Sequence, residues 1–195
     1  MEQERYDLTG SLLRWYDYNK RILPWRENKD SYRIWVSEIM LQQTRVEAVK
    51  PYFDRFMEAF PEVQDLAEAD DERLMKMWEG LGYYNRARNL KAAARKIVNE
   101  YDGKIPGDYD ALLSLNGIGT YTAGAIGSIA FDLQVPAVDG NVMRVLSRLW
   151  GDDSDILKEK TKREMGKRIQ AYIPKDRPGD FNQALIEVGA IVCVP

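Results

Sequence analysis

The chain has 195 residues, of which 45% are hydrophobic and 30% are charged, a composition typical of a soluble globular protein with a packed core. The absence of histidine excludes histidine-based triads and histidine-ligated zinc sites, and the one cysteine excludes a disulfide framework. The sequence contains neither an apolar stretch long enough to span a membrane nor the apolar core of a signal peptide, so we expect a cytoplasmic protein without a membrane partner.

The net charge of −3 hides two segments of opposite sign. Residues 54–72 carry one basic and eight acidic side chains, whereas residues 73–104 carry eight basic and three acidic ones. A basic stripe along a helix suits the binding of phosphates, and a solvated helix face is the alternative. The stripe consists of Arg86, Arg88, Lys91, Arg95 and Lys96.

Apolar residues recur at steps of three and four, whereas strict apolar–polar alternation is missing from the sequence. We therefore predict an all-α protein of about nine or ten helices. Breaks are expected at the glycine and proline residues between the periodic segments, which cover residues 46–60, 74–81, 90–101, 142–149, 165–173 and 181–192.

The stretch LNGIGTYTAGAI predicts a glycine hairpin between two helices. Asp108 can cap a short helix over residues 109–115, Gly117 and Gly119 turn the chain, and Thr120 begins a second helix. Backbone amides at such a turn suit a phosphate. A tight turn that only packs two helices together is the alternative, and for an isolated Gly-x-Gly it is the more common case.

The longer pattern, LxGxGxxTAxAI followed by VPAVDGNVMRVLSRL, resembles the helix–hairpin–helix DNA glycosylases of the endonuclease III superfamily. WVSEIMLQQTRVEAVKPYF, MWEGLGYYNRARNL and FNQALIEVGAIVC are similar to the catalytic part of MutY-type adenine DNA glycosylases. The resemblance covers about residues 23–193. It implies removal of adenine mispaired with 8-oxoguanine or guanine in double-stranded DNA. It also implies a monomer with a bacterial-type location in the cytoplasm, associated with the nucleoid.

The resemblance also implies two helical lobes with the active site in the cleft between them. We expect residues 25–133 to form a six-helix barrel lobe that contains the hairpin. The second lobe would combine residues 1–24 with residues 134–195.

Two carboxylates are the candidate catalytic groups. Asp139 can cap the helix that follows it, where the positive end of the helix dipole would keep it ionised. Glu38 has apolar neighbours that would raise its pKa, although a glutamate at an exposed helix start, capped by Ser37, is the alternative. The resemblance implies that Glu38 protonates adenine N7 and later activates water, and that Asp139 stabilises the sugar cation.

Tyr121 stands where bifunctional glycosylase–lyases of this superfamily carry a Schiff-base lysine. The resemblance therefore implies a monofunctional glycosylase. Tyr121 and Asn141 would hydrogen-bond around the catalytic carboxylates. A tyrosine that simply faces the core is the alternative for Tyr121.

A base inside a duplex must be flipped out before it can be attacked. Gln42, Gln43, Tyr83 and Tyr84 are candidates to fill the gap, because an amide can hydrogen-bond the estranged base and a tyrosine ring can wedge between base steps. The resemblance assigns these roles to Gln43 and Tyr83, although a glycine C-cap followed by packing aromatics would also account for GLGYY. Arg26 and Gln183 match positions near the adenine pocket. Trp25 is expected either to wall this pocket or to lie in the core.

The superfamily members related to MutY and endonuclease III hold a [4Fe–4S] cluster with four cysteines, whereas this sequence contains only Cys193. We therefore expect a truncated form of a longer enzyme, without the cluster and without the domain that recognises 8-oxoguanine. The resemblance also implies a monovalent or calcium ion at the hairpin carbonyls.

Rival functions stay open at this point. One is a helical interaction protein that binds no nucleic acid, for which the glycine hairpin and both carboxylates would be coincidental. A glycosylase of the same fold could remove thymine from T·G mismatches, and such relatives can share Tyr121 and Asp139. A truncated chain could also be a DNA-binding module without activity, which uses the hairpin for phosphates alone.

Overall fold

The computed structural model describes residues 7–195, and within them it contains eleven α-helices, one short 3₁₀-helix and no strand. This confirms the predicted all-α class, with eleven α-helices among the described residues rather than the predicted nine or ten. The six-residue α4 lies outside the segments in which apolar spacing gave a signal. The helices are α1 (Leu8–Asn19), α2 (Ser31–Leu41), α3 (Val46–Ala59), α4 (Val63–Glu68), α5 (Asp71–Trp78), α6 (Asn85–Glu100), α7 (Tyr109–Leu113), α8 (Thr120–Phe131), α9 (Gly140–Trp150), α10 (Glu159–Gln170) and α11 (Pro178–Ile191). The 3₁₀-helix covers Pro24–Arg26.

The chain divides into two compact units. One unit is continuous and covers Ile22–Ile126, and the other consists, among the described residues, of 7–21 and 127–195. Residues 1–6 of the predicted second lobe lie outside the described residues. No helix within residues 7–195 is both long and apolar enough to cross a bilayer.

The continuous unit packs its helices around an aromatic core. Phe56 meets Phe60 and Trp78 in edge-to-face contacts, with ring centroids 5.0 and 5.9 Å apart. Aromatic side chains bury large areas, and such edge-to-face pairs add a further stabilisation of about 0.5–1.5 kcal/mol each. This core supports α3 and α5 together with α2, which carries Glu38, and α6, which carries Arg86 and Arg88.

The discontinuous unit has its own core, in which α11 packs against α1 and α9, and α9 packs against α10. Its buried side chains include Leu12, Tyr16, Val142, Leu146, Met165, Ile169, Phe181 and Leu185. Because α1 and α11 are far apart in sequence, this core exists only once the two ends of the described chain come together. It fixes the helix that begins after Asp139.

Candidate active site

The glycine hairpin is present and joins α7 to α8. Asp108 caps α7 as predicted, since its carboxylate accepts a hydrogen bond from the amide of Ala111 at 2.9 Å. Gly117 has a φ of +78°, a conformation that favours glycine, and a side chain at Gly119 would meet no atom within 4 Å. Among the described residues, the amides of Gly117, Gly119 and Thr120 donate to no other backbone group. The turn therefore offers exposed donors at a place without side chains.

Asp139 caps α9, which confirms the capping prediction. One carboxylate oxygen accepts a hydrogen bond from the amide of Val142 at 2.8 Å. The other accepts a hydrogen bond from the side-chain amide of Asn141 at 3.0 Å. The two bonds hold the carboxylate in one orientation at the start of a helix.

Arg144 lies one turn further along α9 and was missed by the sequence analysis. Its guanidinium donates to Asn141 Oδ1 at 2.9 Å and to the carbonyls of Gly189 and Cys193 at 2.7 and 2.8 Å. A Cβ atom at Gly189 would lie 2.6 Å from the Cβ of Asn141, so α9 and α11 touch at this point. The three-residue spacing from Asn141 was the only sequence signal, because the carbonyl acceptors carry no residue-type pattern.

Glu38 lies inside α2 rather than at a helix start, so the exposed-glutamate alternative is wrong. The helix begins at Ser31 and is capped by Asp30, whose carboxylate accepts a hydrogen bond from the amide of Arg33 at 2.8 Å. Ser37 is buried and donates to the carbonyl of Ile34 at 2.8 Å, so it is not a cap. Glu38 itself is only 8% exposed, as its apolar neighbours predicted.

The 3₁₀-helix carries Trp25 and Arg26. Trp25 is buried, and its ring packs edge-to-face on that of Phe53 with the centroids 5.3 Å apart. Of the two positions that the sequence allowed for Trp25, this is the one in the core. Arg33 ties this segment to α2 by donating to the carbonyl of Pro24 at 3.1 Å. Arg26 is half-buried. Its place beside an adenine pocket stays a prediction.

Gln183 is 9% exposed on α11. Its neighbour Asn182, which the sequence analysis missed, accepts a hydrogen bond from the amide of Ala137 at 3.1 Å and donates to the carbonyl of Val135 at 2.9 Å. Asn182 thereby attaches the segment that leads into Asp139 to α11. The adenine contact of Gln183 stays a prediction.

Gln42 and Gln43 differ in their surroundings. Gln42 is half-buried, and its side-chain amide lies 3.4 Å from the hydroxyl of Thr122. Gln43 is exposed and has a φ of +59°. Tyr83, 61% exposed, also has a positive φ of +47°. These two residues border a groove of about 300 Å³ that is lined by Gln42, Gln43, Tyr83, Tyr84, Asn85, Arg86 and Arg88.

The predicted basic stripe is corrected by the structure. Arg88 and Arg95 are exposed, but Arg86 is only 8% exposed and Lys91 is buried. Lys91 pairs with Asp71, and burial lowers the pKa of Arg86. Inside the protein its guanidinium donates to backbone carbonyls at the end of α2 and in the loop before α6, contacts that an amphipathic pattern does not reveal. The solvated face is thus confined to the remaining members of the stripe.

Cys193 does not by itself fit a four-thiolate cluster. It is the only cysteine of the sequence, and its sulfur accepts a hydrogen bond from Arg148 at 3.2 Å. Within residues 7–195, no group of three or more His, Cys, Asp or Glu side chains lies close enough to share a metal ion. No step of a mechanism can be assigned to a cluster on these residues.

The predicted site residues fall into two sets. The discontinuous unit brings together Asp139 and Asn141, with Gln183 on its last helix. The continuous unit holds Glu38, the hairpin, Tyr121 and the groove beside Gln43 and Tyr83. Tyr121 is half-buried in the first turn of α8, so it is neither a fully core-facing nor a fully exposed side chain. The predicted lobe limits and the cleft between the lobes stay predictions.

The matching family model describes DNA repair proteins, and the similar proteins found by sequence comparison are DNA glycosylases. Residues 36–171 match the family described as HhH-GPD superfamily base excision DNA repair protein. The chain is similar to the adenine DNA glycosylase of Mus musculus, with 47% identity over 95% of this chain and 38% of that protein. It is also similar to the adenine DNA glycosylase of Buchnera aphidicola subsp. Schizaphis graminum, with 38% identity over 97% of this chain and 55% of that protein.

Solved structures agree with this likeness. A thermostable thymine-DNA glycosylase is similar with a TM-score of 0.87 and 29% identity over 96% of this chain and 86% of that chain. An endonuclease III trapped as a covalent intermediate on DNA is similar with a TM-score of 0.78 and 26% identity over 96% and 85% of the two chains. The chain spans only 38% of the mouse relative and 55% of the Buchnera relative. The chain belongs to the HhH-GPD superfamily of base excision DNA repair proteins.

Proposed function

We propose that this chain is the catalytic part of a monofunctional adenine DNA glycosylase that acts on adenine opposite 8-oxoguanine or guanine. The observation that carries the choice of adenine is the identity of 38–47% to adenine DNA glycosylases over nearly the whole of this chain. The substrate would be double-stranded DNA, bound by a cytoplasmic monomer.

The hairpin is the proposed phosphate site. The exposed amides of Gly117, Gly119 and Thr120 can donate to phosphate oxygens, and the open space at Gly119 lets a sugar–phosphate backbone approach. The cation predicted at this hairpin would be held by backbone carbonyls, which are hard oxygen donors suited to sodium or calcium. Exposed Arg88 would add a further phosphate contact.

Glu38 and Asp139 are the proposed catalytic residues. Glu38 is buried in α2, only 8% exposed, and we assign it the role of the general acid that protonates adenine N7. The bond between N9 and C1′ then breaks, and the electron pair leaves with the base. The carboxylate of Asp139, oriented by Asn141, stabilises the positive charge on the sugar. Glu38, now deprotonated, takes a proton from the water that attacks C1′.

Tyr121 supports the monofunctional assignment. A phenol cannot form a Schiff base with the sugar, so adenine release should leave an uncut abasic strand. Gln43 and Tyr83 are the proposed residues that fill the gap left by the flipped base. Release of adenine without strand cleavage, followed on a gel before and after alkali, tests this assignment.

The test of the function is single-turnover release of adenine from an A·8-oxoguanine duplex. We expect release by the parent chain and none by Glu38→Gln, because an amide cannot supply the proton. Glu58→Gln, an exposed change on α3, is the matched control and should keep the parent rate. A Glu38→Gln variant that is folded and as fast as the parent would contradict the assigned acid.

A thymine glycosylase is the second candidate, favoured by the likeness to a thermostable thymine-DNA glycosylase. Competition between duplexes with one A·8-oxoguanine pair or one T·G pair separates the two functions. Release of thymine above adenine would replace the proposed substrate. Salt-dependent binding of DNA without release of either base would leave a DNA-binding module.

A further inference from the structure

Gln43 and Tyr83 have left-handed backbone conformations, with φ of +59° and +47°. This region is unfavourable for a residue with a side chain, so the surrounding structure must hold both residues there. They sit on different loops, one after α2 and one between α5 and α6, and they border the same groove of about 300 Å³.

The side chain of Arg86 connects the end of α2 and the loop after it to the loop between α5 and α6. One terminal nitrogen donates to the carbonyls of Ile39, Met40 and Gln42 at 3.1, 2.8 and 2.5 Å. The other donates to the carbonyls of Leu81 and Gly82 at 3.1 and 3.2 Å, and to the hydroxyl of Thr44 at 3.1 Å. All six acceptors are uncharged, so the buried guanidinium is stabilised by oriented dipoles rather than by a carboxylate.

Two of these acceptors explain how Arg86 affects the backbone of Gln43 and Tyr83. The carbonyl of Gln42 belongs to the peptide unit directly before Gln43, and the carbonyl of Gly82 belongs to the unit directly before Tyr83. A hydrogen bond to each carbonyl fixes the plane of that peptide unit and with it the φ of the residue that follows. Trp78 reinforces the second loop by donating to the carbonyl of Gly82 at 3.1 Å.

We propose that Arg86 is a positioning residue that holds Gln43 and Tyr83 at a fixed separation, so that they enter a mispaired duplex together. The proposal rests on the proposed function, because it assigns Arg86 to recognition of the mispair rather than to phosphate contact. Arg86 then affects the preference for a mispaired over a fully paired duplex, whereas exposed basic side chains affect binding to both.

The geometry also explains why an arginine is needed. A guanidinium presents its donors in a rigid planar fork and can bridge carbonyls of two segments at once. A lysine keeps the charge but has one nitrogen on a flexible stem, so it cannot hold both peptide planes. Arg86→Lys is therefore the informative variant, because it separates charge from geometry.

The experiment measures adenine release and duplex binding for the parent, Arg86→Lys and the control Arg163→Lys, which changes an exposed arginine of α10. We expect Arg86→Lys to lose about 10- to 100-fold in the ratio of A·8-oxoguanine to fully paired affinity. Binding to the fully paired duplex should stay within about twofold, and Arg163→Lys should match the parent in both. An unchanged ratio in folded Arg86→Lys would overturn the proposal.

A double-mutant cycle keeps the test valid if Arg86→Lys is less stable. The same arginine change is made in a Gln43→Ala/Tyr83→Ala background, and the ratio is measured on the folded fraction. If Arg86 acts through these two side chains, the arginine change costs nothing more in that background. An equal loss in both backgrounds would mean a purely structural role and overturn the proposal. Absence of adenine release by the parent itself would instead contradict the proposed function.

Discussion

Gly189→Ala tests the contact between α9 and α11 that orients Asn141. A Cβ atom at this position would lie 2.6 Å from the Cβ of Asn141, 3.1 Å from its carbonyl oxygen and 3.2 Å from its carbonyl carbon. Ordinary contact begins at 3.4 Å, so the start of α9 must recede by about 0.8 Å. The obstructing atoms are backbone and Cβ atoms, which cannot turn aside as a flexible side chain can.

Two opposing effects set the expected stability. Overpacking costs about 1–3 kcal/mol, and replacing a helical glycine by alanine recovers about 0.5–1 kcal/mol. We therefore expect a net loss of about 1–2 kcal/mol, or about 3–6 °C in Tm for a chain of this length. Because Asn141 donates to the carboxylate of Asp139 at 3.0 Å, a displacement of this size should also lower the rate of adenine release about 10- to 100-fold.

Gly166→Ala is the matched control. Gly166 is a buried glycine of α10 in the same unit, but its added Cβ would meet Pro136 and Val138 at 3.9 Å, which is ordinary contact. This variant should gain about 0.5–1 kcal/mol and keep the parent rate. Thermal unfolding and single-turnover release are measured on all three proteins. A Gly189→Ala variant as stable and as active as Gly166→Ala would refute the reasoning.

Three further predictions concern single side chains. Asp139→Asn should keep the helix cap and the Tm but lose adenine release. Asp139→Ala should lose release and also about 1 kcal/mol of stability, because the cap is removed. Equal Tm losses in the two variants would contradict separate roles of Asp139 in capping and in catalysis. Asn182→Ala should cost about 1–3 kcal/mol in denaturant unfolding, because it leaves buried backbone groups of residues 135–137 without their partner; a loss below about 0.5 kcal/mol would count against it. Arg177 lowers the pKa of Asp17 below 3.8, so the stability that this carboxylate contributes is present above that pH and is lost as the pH falls through the lowered pKa. Unfolding curves of the parent and Asp17→Asn should therefore differ at neutral pH and converge in acid, and a difference that persists there would contradict the pairing.

Local interactions were predictable from the sequence. The caps at Asp108 and Asp139 were predicted and are present, because each depends on a hydrogen bond to an amide three residues away. The hairpin turn at Gly117 was predicted for the same reason, since a positive φ is a property of a few adjacent residues. Helical spacing of apolar residues gave the all-α class and most of the helices.

Ser37 and Glu38 show where local signals were ambiguous. A serine before a glutamate is a common helix start, yet Asp30 is the cap and α2 begins seven residues before Glu38. The tertiary packing buried this part of the helix, and Glu38 became an internal side chain for that reason. Both interpretations were consistent with the sequence, and only the position of α2 in the core decides between them.

Composition and short-range pattern, by themselves, determined the helical class, the caps, the glycine turn and the residue types available for catalysis in a chain without histidine. The internal position of Arg86, the attachment of the segment before Asp139 by Asn182, and the link from α9 to α11 by Arg144 became visible only in the folded chain. The physical reason is distance along the chain. These side chains donate mainly to backbone groups about 45 residues away, and a backbone carbonyl looks the same at every position until folding brings one particular carbonyl within reach.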